Sequence, residues 1–224
     1  VDVFGPSLPT MMGGTGLRAE LNAARKLAPI EAHGVAAMSI GYLVDPEQAV
    51  SWRGPMVSAA VNQLIGDVAW SDDRGDLDIL FIDTPPGTGE VQLTLLQKLA
   101  LSGAVIVSTP QELALADVRR GVAMFRKMSV PILGVIENMA WLEAPDGTRL
   151  HPFGRGGAEA TAQALGVPFL GALPILSDLR IGGDTGQPAA AGQGLAAEAF
   201  ALLAEAICEA AAAPGRPSPR IVFE

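Results

Sequence analysis

The sequence carries one cysteine, Cys208, in 224 residues, so a chain can form no internal disulfide and no metal site built from cysteine alone. Histidine is nearly as scarce. His33 and His151 are the only two, and neither has a second histidine or a cysteine beside it, which reads as solvated loop residues rather than ligands. No dense Lys/Arg cluster stands out and the formal net charge is −9. A nucleic-acid surface needs a basic patch that releases counterions, so the balance argues against that partner. The apolar runs are short and broken by Gly, Pro or charge, which argues against a transmembrane span, and no signal-peptide pattern stands at Val1. A cytoplasmic location is the expectation. Ser39, Ser58 and Ser108 lack the G-x-S-x-G setting of a hydrolase elbow. Also missing is any G-x-x-x-x-G-K-[ST] phosphate loop.

What is present points to a packed α/β domain. Apolar residues make up 49% of the chain, enough for a sizeable core. The stretch DILFIDTPPGTGEVQL, 78–93, runs four apolar residues into Asp83 and then into a Pro- and Gly-rich turn. An unbroken apolar run bounded by turn residues predicts a strand buried on both faces, as in a parallel sheet. Further strands are predicted at 36–44, 103–110, 131–138 and 167–174. Helical spacing predicts helices at 54–70, 90–101, 111–128, 157–166 and 195–213, with Gly166 as a C-cap and Glu90 in a first turn. Residues 214–224 read as a loosely ordered tail after one domain over 1–213. Alternating strands and helices imply a parallel sheet wrapped by right-handed crossovers. Ligands of such sheets bind beyond the C-terminal strand ends, where Asp2, Asp83, Thr109, Asn138 and Pro174 fall.

Asp83 is the first chemical candidate. A carboxylate at a strand end before a glycine turn can hold Mg²⁺ through water in phosphoryl transfer; its plainer role is to cap the turn. Gly87 and Gly89 let the backbone approach a ligand, and two prolines stiffen the loop. Asp2, also at a strand end, is a solvated loop acid unless it meets Asp83. Asn138 has an amide that both donates and accepts, as recognition of an adenine edge requires, and equally suits a turn. Cys208, in an Ala-rich helix, reads as a small buried residue.

The segments DVFGPSLPTMMG, MSIGYLVDPEQAVSWRGPM, IDTPPGTGEVQLTLLQK, GAVIVSTPQELALADVRRGVAMFRK, PILGVIENM and FGRGGAEATAQALGVPFLGALPI together resemble the Mrp/ApbC family. Those proteins are P-loop ATPases of the deviant Walker A class that carry and deliver iron–sulfur clusters. The resemblance runs from residue 2 to about residue 190. It implies an α/β/α P-loop fold whose phosphate loop lies on a strand ahead of DVFGPS, so the chain reads as lacking its N-terminal part, first strand and P-loop. It implies ATP and Mg²⁺ as cofactors, a homodimer, and iron–sulfur scaffold or recipient apoproteins as partners. By position, Asp2 matches the acid that places the hydrolytic water, Asp83 the acid ending the Walker B strand, and Gly87 the γ-phosphate-sensing glycine. Asn138 matches the adenine-contacting asparagine and Pro174 the backbone wall beside the base. Arg53 in WRGPM has no derivable role.

Two departures qualify the expectation. Without a phosphate loop the chain is expected to bind ATP weakly or not at all. The family's C-P-x-C ligand pair is replaced here: Ala144 and Gly147 stand where the cysteines belong, and neither can ligate iron. Two other functions compete with the cluster-carrier ATPase: a MinD/ParA-like regulatory ATPase, which lacks the amphipathic basic tail it would need here, and a nucleotide-independent scaffold.

Overall fold

The computed structural model describes residues 1–3, 7–44, 59–71, 75–85 and 87–212. Arg53, Ser58 and the expected tail at 214–224 lie outside them. The chain divides into two compact units. The first contains residues 1–95 and 180–191, and the second residues 96–179 and 192–212.

The first unit begins at the chain's opening residues. Asp2 bridges in parallel to Ser39 on one side and to Asp83 on the other. The amide of Asp2 donates to Met38 O (2.9 Å) and Asp83 N donates to Val1 O (2.7 Å), so three short extended segments lie side by side. Helix α1 (Ser7–Met11) follows the first of them. Strands β1 (Ile30–Ala32) and β2 (Val35–Ala37) then pair antiparallel. His33 and Gly34 close that hairpin with φ of 50° and 79°, the two left-handed residues that a two-residue turn of the favoured hand requires. The His33 imidazole Nε2 lies 3.0 Å from Gly186 O.

Three expectations are corrected in this unit. The strand expected at 36–44 ends as β2 at Ala37, and a 3₁₀ turn, Ile40–Tyr42, capped by the Ser39 hydroxyl, takes the rest. The helix expected at 54–70 ends in a π-helical turn, Asn62–Gly66, and Val68 instead bridges to Leu27. Residues 79–82 form no strand ladder. Ile79 is 48% and Phe81 60% exposed; among the described residues this segment pairs only with Val1–Val3. An apolar run predicts a buried strand only where neighbours exist to bury it.

The second unit is the parallel sheet that the alternation predicts. Helix α2 (Glu90–Lys98) crosses the boundary into it. Strands β3 (Ala104–Ser108), β4 (Ile132–Glu137) and, further along the chain, β7 (Phe169–Ala172) make a sheet in the order β3-β4-β7, all parallel. Helix α3 (Glu112–Lys127) and helix α4 (Gly157–Leu165) cover one face, burying Leu115, Val118, Val122, Val135, Ala158 and Ala162 together. The terminal helix covers the other with Leu203, against Ile136 and Leu173. Helices on both faces of a parallel sheet make the expected α/β/α sandwich. Gly166 sits left-handed (φ 62°) and caps α4, as its sequence position suggests.

Two elements escaped the sequence reading. A two-residue hairpin, β5 (Leu142–Glu143) with β6 (Arg149–Leu150), stands off β4, and helix α5 (Ser177–Thr185) precedes helix α6 (Leu195–Ala212). Among the described residues no helix is long and apolar enough to cross a membrane.

Candidate functional site

In the first unit the two expected acids are brought together. Asp2 is 3% exposed, and its carboxylate accepts from the Ser39 hydroxyl (3.0 Å) and from the Leu8 amide (3.4 Å). Ser39 is itself fully buried and also accepts from the Gly41 amide. A buried acid survives only with such donors around it. Asp83, one segment over, is exposed on one side. Partial burial pushes its carboxyl above the ordinary aspartate range, the Asp2 carboxylate pushes the same way, and the Val1 ammonium opposes both. The neighbouring Asp2 carboxylate thus adds to the cost of ionising Asp83 unless a cation joins the two. Hard oxygen donors of this kind suit Mg²⁺.

The turn after Asp83 is held and open at once. Pro85 is buried, and its carbonyl accepts from the Gln92 side chain at 2.7 Å. Gly87 is left-handed (φ 87°), exposed, and has no heavy atom within 4 Å of where a Cβ would stand. That leaves room for an anion against its backbone. The acids and the open glycine turn therefore fit a magnesium-bound phosphate. The lysine-bearing cradle of a P-loop is not in the sequence.

Asn138 and Pro174 lie in the second unit, at the C-terminal ends of β4 and β7. The Asn138 amide N–H donates to Ser108 O (2.7 Å), and its side-chain Oδ1 accepts from Met139 N (2.9 Å). Met139 is left-handed at φ 56°, a strained state for a non-glycine. The segment carrying Pro174 runs alongside: Ala140 N donates to Leu173 O (2.9 Å) and Ile175 N to Trp141 O (2.7 Å). Glu137, 3% exposed, accepts from the Ala158 amide at 2.8 Å and so ties the end of β4 to the start of α4. Gly157 packs there because a Cβ would come within 2.4 Å of Pro110 O.

Ala144 and Gly147 sit in the β5–β6 turn. Gly147 N donates to Ala144 O and Ala144 N to Thr148 O, each at 2.9 Å, with Pro145 and Asp146 between and Gly147 left-handed at φ 81°. This is a hairpin turn closed by its own backbone, with Pro and Gly where such a turn favours them. Bonds from the Thr148 amide and hydroxyl hold the Asp146 carboxyl below its usual range. Cys208 is exposed on α6, not buried as its composition suggested. Among the described residues no three His, Cys, Asp or Glu side chains converge as a metal site.

A model of the family described as "ParA: NUBPL iron-transfer P-loop NTPase" matches residues 1–208. The chain belongs to that family. Its NUBPL-type relatives include an "Iron-sulfur cluster carrier protein" of Pseudomonas fragi, 48% identical over 84% of this chain and 65% of that protein. The "Iron-sulfur cluster transfer protein NUBPL" of Dictyostelium discoideum is 46% identical over 84% of this chain and 58% of its own length. This NUBPL-family chain thus spans between about half and two thirds of such relatives' length. A solved nucleotide-binding protein of Archaeoglobus fulgidus, in complex with ADP, is 36% identical with a TM-score of 0.70, covering 83% of this chain and 72% of that one. The α/β P-loop NTPase fold and the Mrp/ApbC resemblance both stand on these matches.

The sequence missed Ser39 and Gln92 as parts of the site. Ser39 was weighed only as a nucleophile. Its place beside Asp2 depends on a parallel pairing between residues 37 apart, which no local pattern announces.

Proposed function

We propose that this chain is part of a nucleotide-hydrolysing protein of iron–sulfur cluster assembly. The observation that carries the reading is the meeting of Asp2 and Asp83 on adjacent parallel segments, immediately before the open Gly87 turn. In this reading Asp83 holds a magnesium-bound water and Asp2, fixed by Ser39 and Leu8, orients the water that attacks phosphorus. The bound Mg²⁺ supplies charge neutralisation on the phosphates. Gly87 offers its backbone to the terminal phosphate; Asn138 and the Pro174 segment, in the second unit, match the family's base-contacting positions. The nucleotide is ATP, the active form a homodimer, and the location cytoplasmic.

These 224 residues, whose sequence has no G-x-x-x-x-G-K-[ST] loop, bind Mg-ATP weakly and do not turn it over alone. The cluster is cargo, handed to recipient apoproteins, and is not held at the Ala144–Gly147 turn, which offers no thiolate. The test is depletion of the gene in its source organism with assay of [4Fe–4S]-dependent dehydratases. Their activity should fall while their protein levels hold. Unchanged activity would overturn the iron–sulfur role and leave the regulatory ATPase and the nucleotide-independent scaffold.

A further inference from the structure

Gln92, the third residue of α2, is 92% withdrawn from water by its 8% exposure, and both ends of its amide are accounted for differently. Its Nε2 donates to Pro85 O at 2.7 Å and to Thr84 Oγ1 at 3.3 Å. Its Oε1 is buried and accepts from nothing among the described residues. Rotating the amide by half a turn would set Oε1 against the Pro85 carbonyl, two acceptors face to face, so the Pro85 bond fixes the orientation.

A buried carbonyl without a donor costs stability. Packing alone would be served as well by methionine, which has the same length and no such oxygen. The glutamine is therefore explained by what its N–H groups hold. They hold the two residues after Asp83, and those residues lead into Gly87. Thr84 and Pro85 cannot shift without breaking these bonds, and the ring of Pro85 fixes its own φ.

We propose that Gln92 is the positioning residue of the Asp83–Gly89 turn: its side-chain N–H groups clamp Thr84 and Pro85 so that the Gly87 backbone is presented to a terminal phosphate. The proposal rests on the nucleotide reading given above. Gln92 itself touches no phosphate. It acts through Pro85, and a turn held against the terminal phosphate favours a triphosphate over a diphosphate.

The test compares the unmodified chain with Gln92→Met. Backbone order is followed at Gly87, Thr88 and Gly89 by ¹⁵N relaxation, with thermal unfolding alongside, and Mg-ATP and Mg-ADP are titrated at millimolar concentration by NMR. Order parameters in the turn should fall in the variant from the rigid range, about 0.85, to below about 0.6, since the two hydrogen bonds that hold the turn are lost. Its melting temperature should stay within about 2 °C or rise, since the orphaned oxygen is gone. The preference of the unmodified chain for Mg-ATP over Mg-ADP should vanish in the variant. A variant that melts lower and weakens both nucleotides equally makes Gln92 a packing residue and overturns the proposal, as do unchanged order parameters in the turn. A chain that takes neither nucleotide sinks the nucleotide reading by itself, and the order parameters with the melting temperature then decide the clamp.

Discussion

The two units use the same construction, parallel extended segments ending in polar residues, and reach different results. In the second, β4 is paired on both sides, with five register pairs to β3 and three to β7, and has helices on both faces. Leu133, Gly134, Val135, Ile136 and Glu137 are all buried there. In the first, Asp2 alone bridges its neighbours on both sides, and Ile79 and Phe81 face solvent. The apolar runs ILFI and AVIVS carry the same sequence signal. What separates them is the number of neighbours each finds within the chain. A parallel strand is stabilised by its faces more than by its own ladder. The candidate chemistry is unevenly divided as a consequence. The acids sit on the thin construction, where side-chain bonds such as Ser39 to Asp2 replace ladder bonds, and Asn138 sits on the thick one.

The largest break in this comparison comes from charging the thick sheet. Val135 is fully buried between β3 and β7 and beneath α3 and α4. Val135→Asp places an unpaired carboxylate there and should cost more than about 4 kcal/mol. Amide protection across β3, β4 and β7 should disappear together. Phe81→Ser is the counterpart in the thin construction and, at an exposed site, should change stability by less than about 0.5 kcal/mol. Equal effects of the two substitutions would show that the thin segment is as well buried as the sheet.

A smaller effect is expected where a side chain stands in for ladder bonds. Asp2→Ala removes the acceptor of a fully buried hydroxyl, Ser39 Oγ, and of the Leu8 amide. Leaving such a group unpaired costs about 2 kcal/mol. Asp2→Asn keeps an oxygen for Ser39 and should lose roughly half as much. Urea unfolding of the two variants, with exchange read at Met38–Tyr42, checks the order. If Ala and Asn at this position are equally harmful, the negative charge rather than the hydrogen bond holds the segment.

Sequence alone located the second unit closely. β4, α3 and α4 begin and end within a residue of expectation, because there the periodic pattern and the burial coincide. The C-cap at Gly166 was legible for a local reason, the need for a left-handed residue. The pairing of Asp2 with Asp83 was legible in outline, since strand ends gather on one edge of a parallel sheet. Ser39 and Gln92 were not, because their roles are set by residues 37 and 7 or 8 positions away through tertiary contacts. The β5–β6 hairpin was passed over because its strands are two residues long and wholly exposed, too short for any period to show.

The smallest effect tests the acid pair itself. Asp83 binds its proton more tightly in the folded chain than in the unfolded one, through partial burial first and the Asp2 carboxylate second. A group with a raised folded value contributes stability that is complete below the unfolded value and is lost as pH rises through the folded one. The chain should therefore lose stability between the ordinary aspartate range and the raised value of Asp83, and Asp83→Asn should abolish that loss. Because Asp83 is half in water the gain in the variant at pH 7 is modest, about 1–2 °C in melting temperature after solvent screening. Millimolar Mg²⁺ should raise the melting temperature of the unmodified chain and leave Asp83→Asn unmoved, since the cation relieves a repulsion that the variant no longer has. Melting curves from pH 3 to 8, with and without Mg²⁺, decide it. If Asp83→Asn melts lower at pH 7, the two carboxylates do not repel, and the electrostatic argument for a cation between them falls.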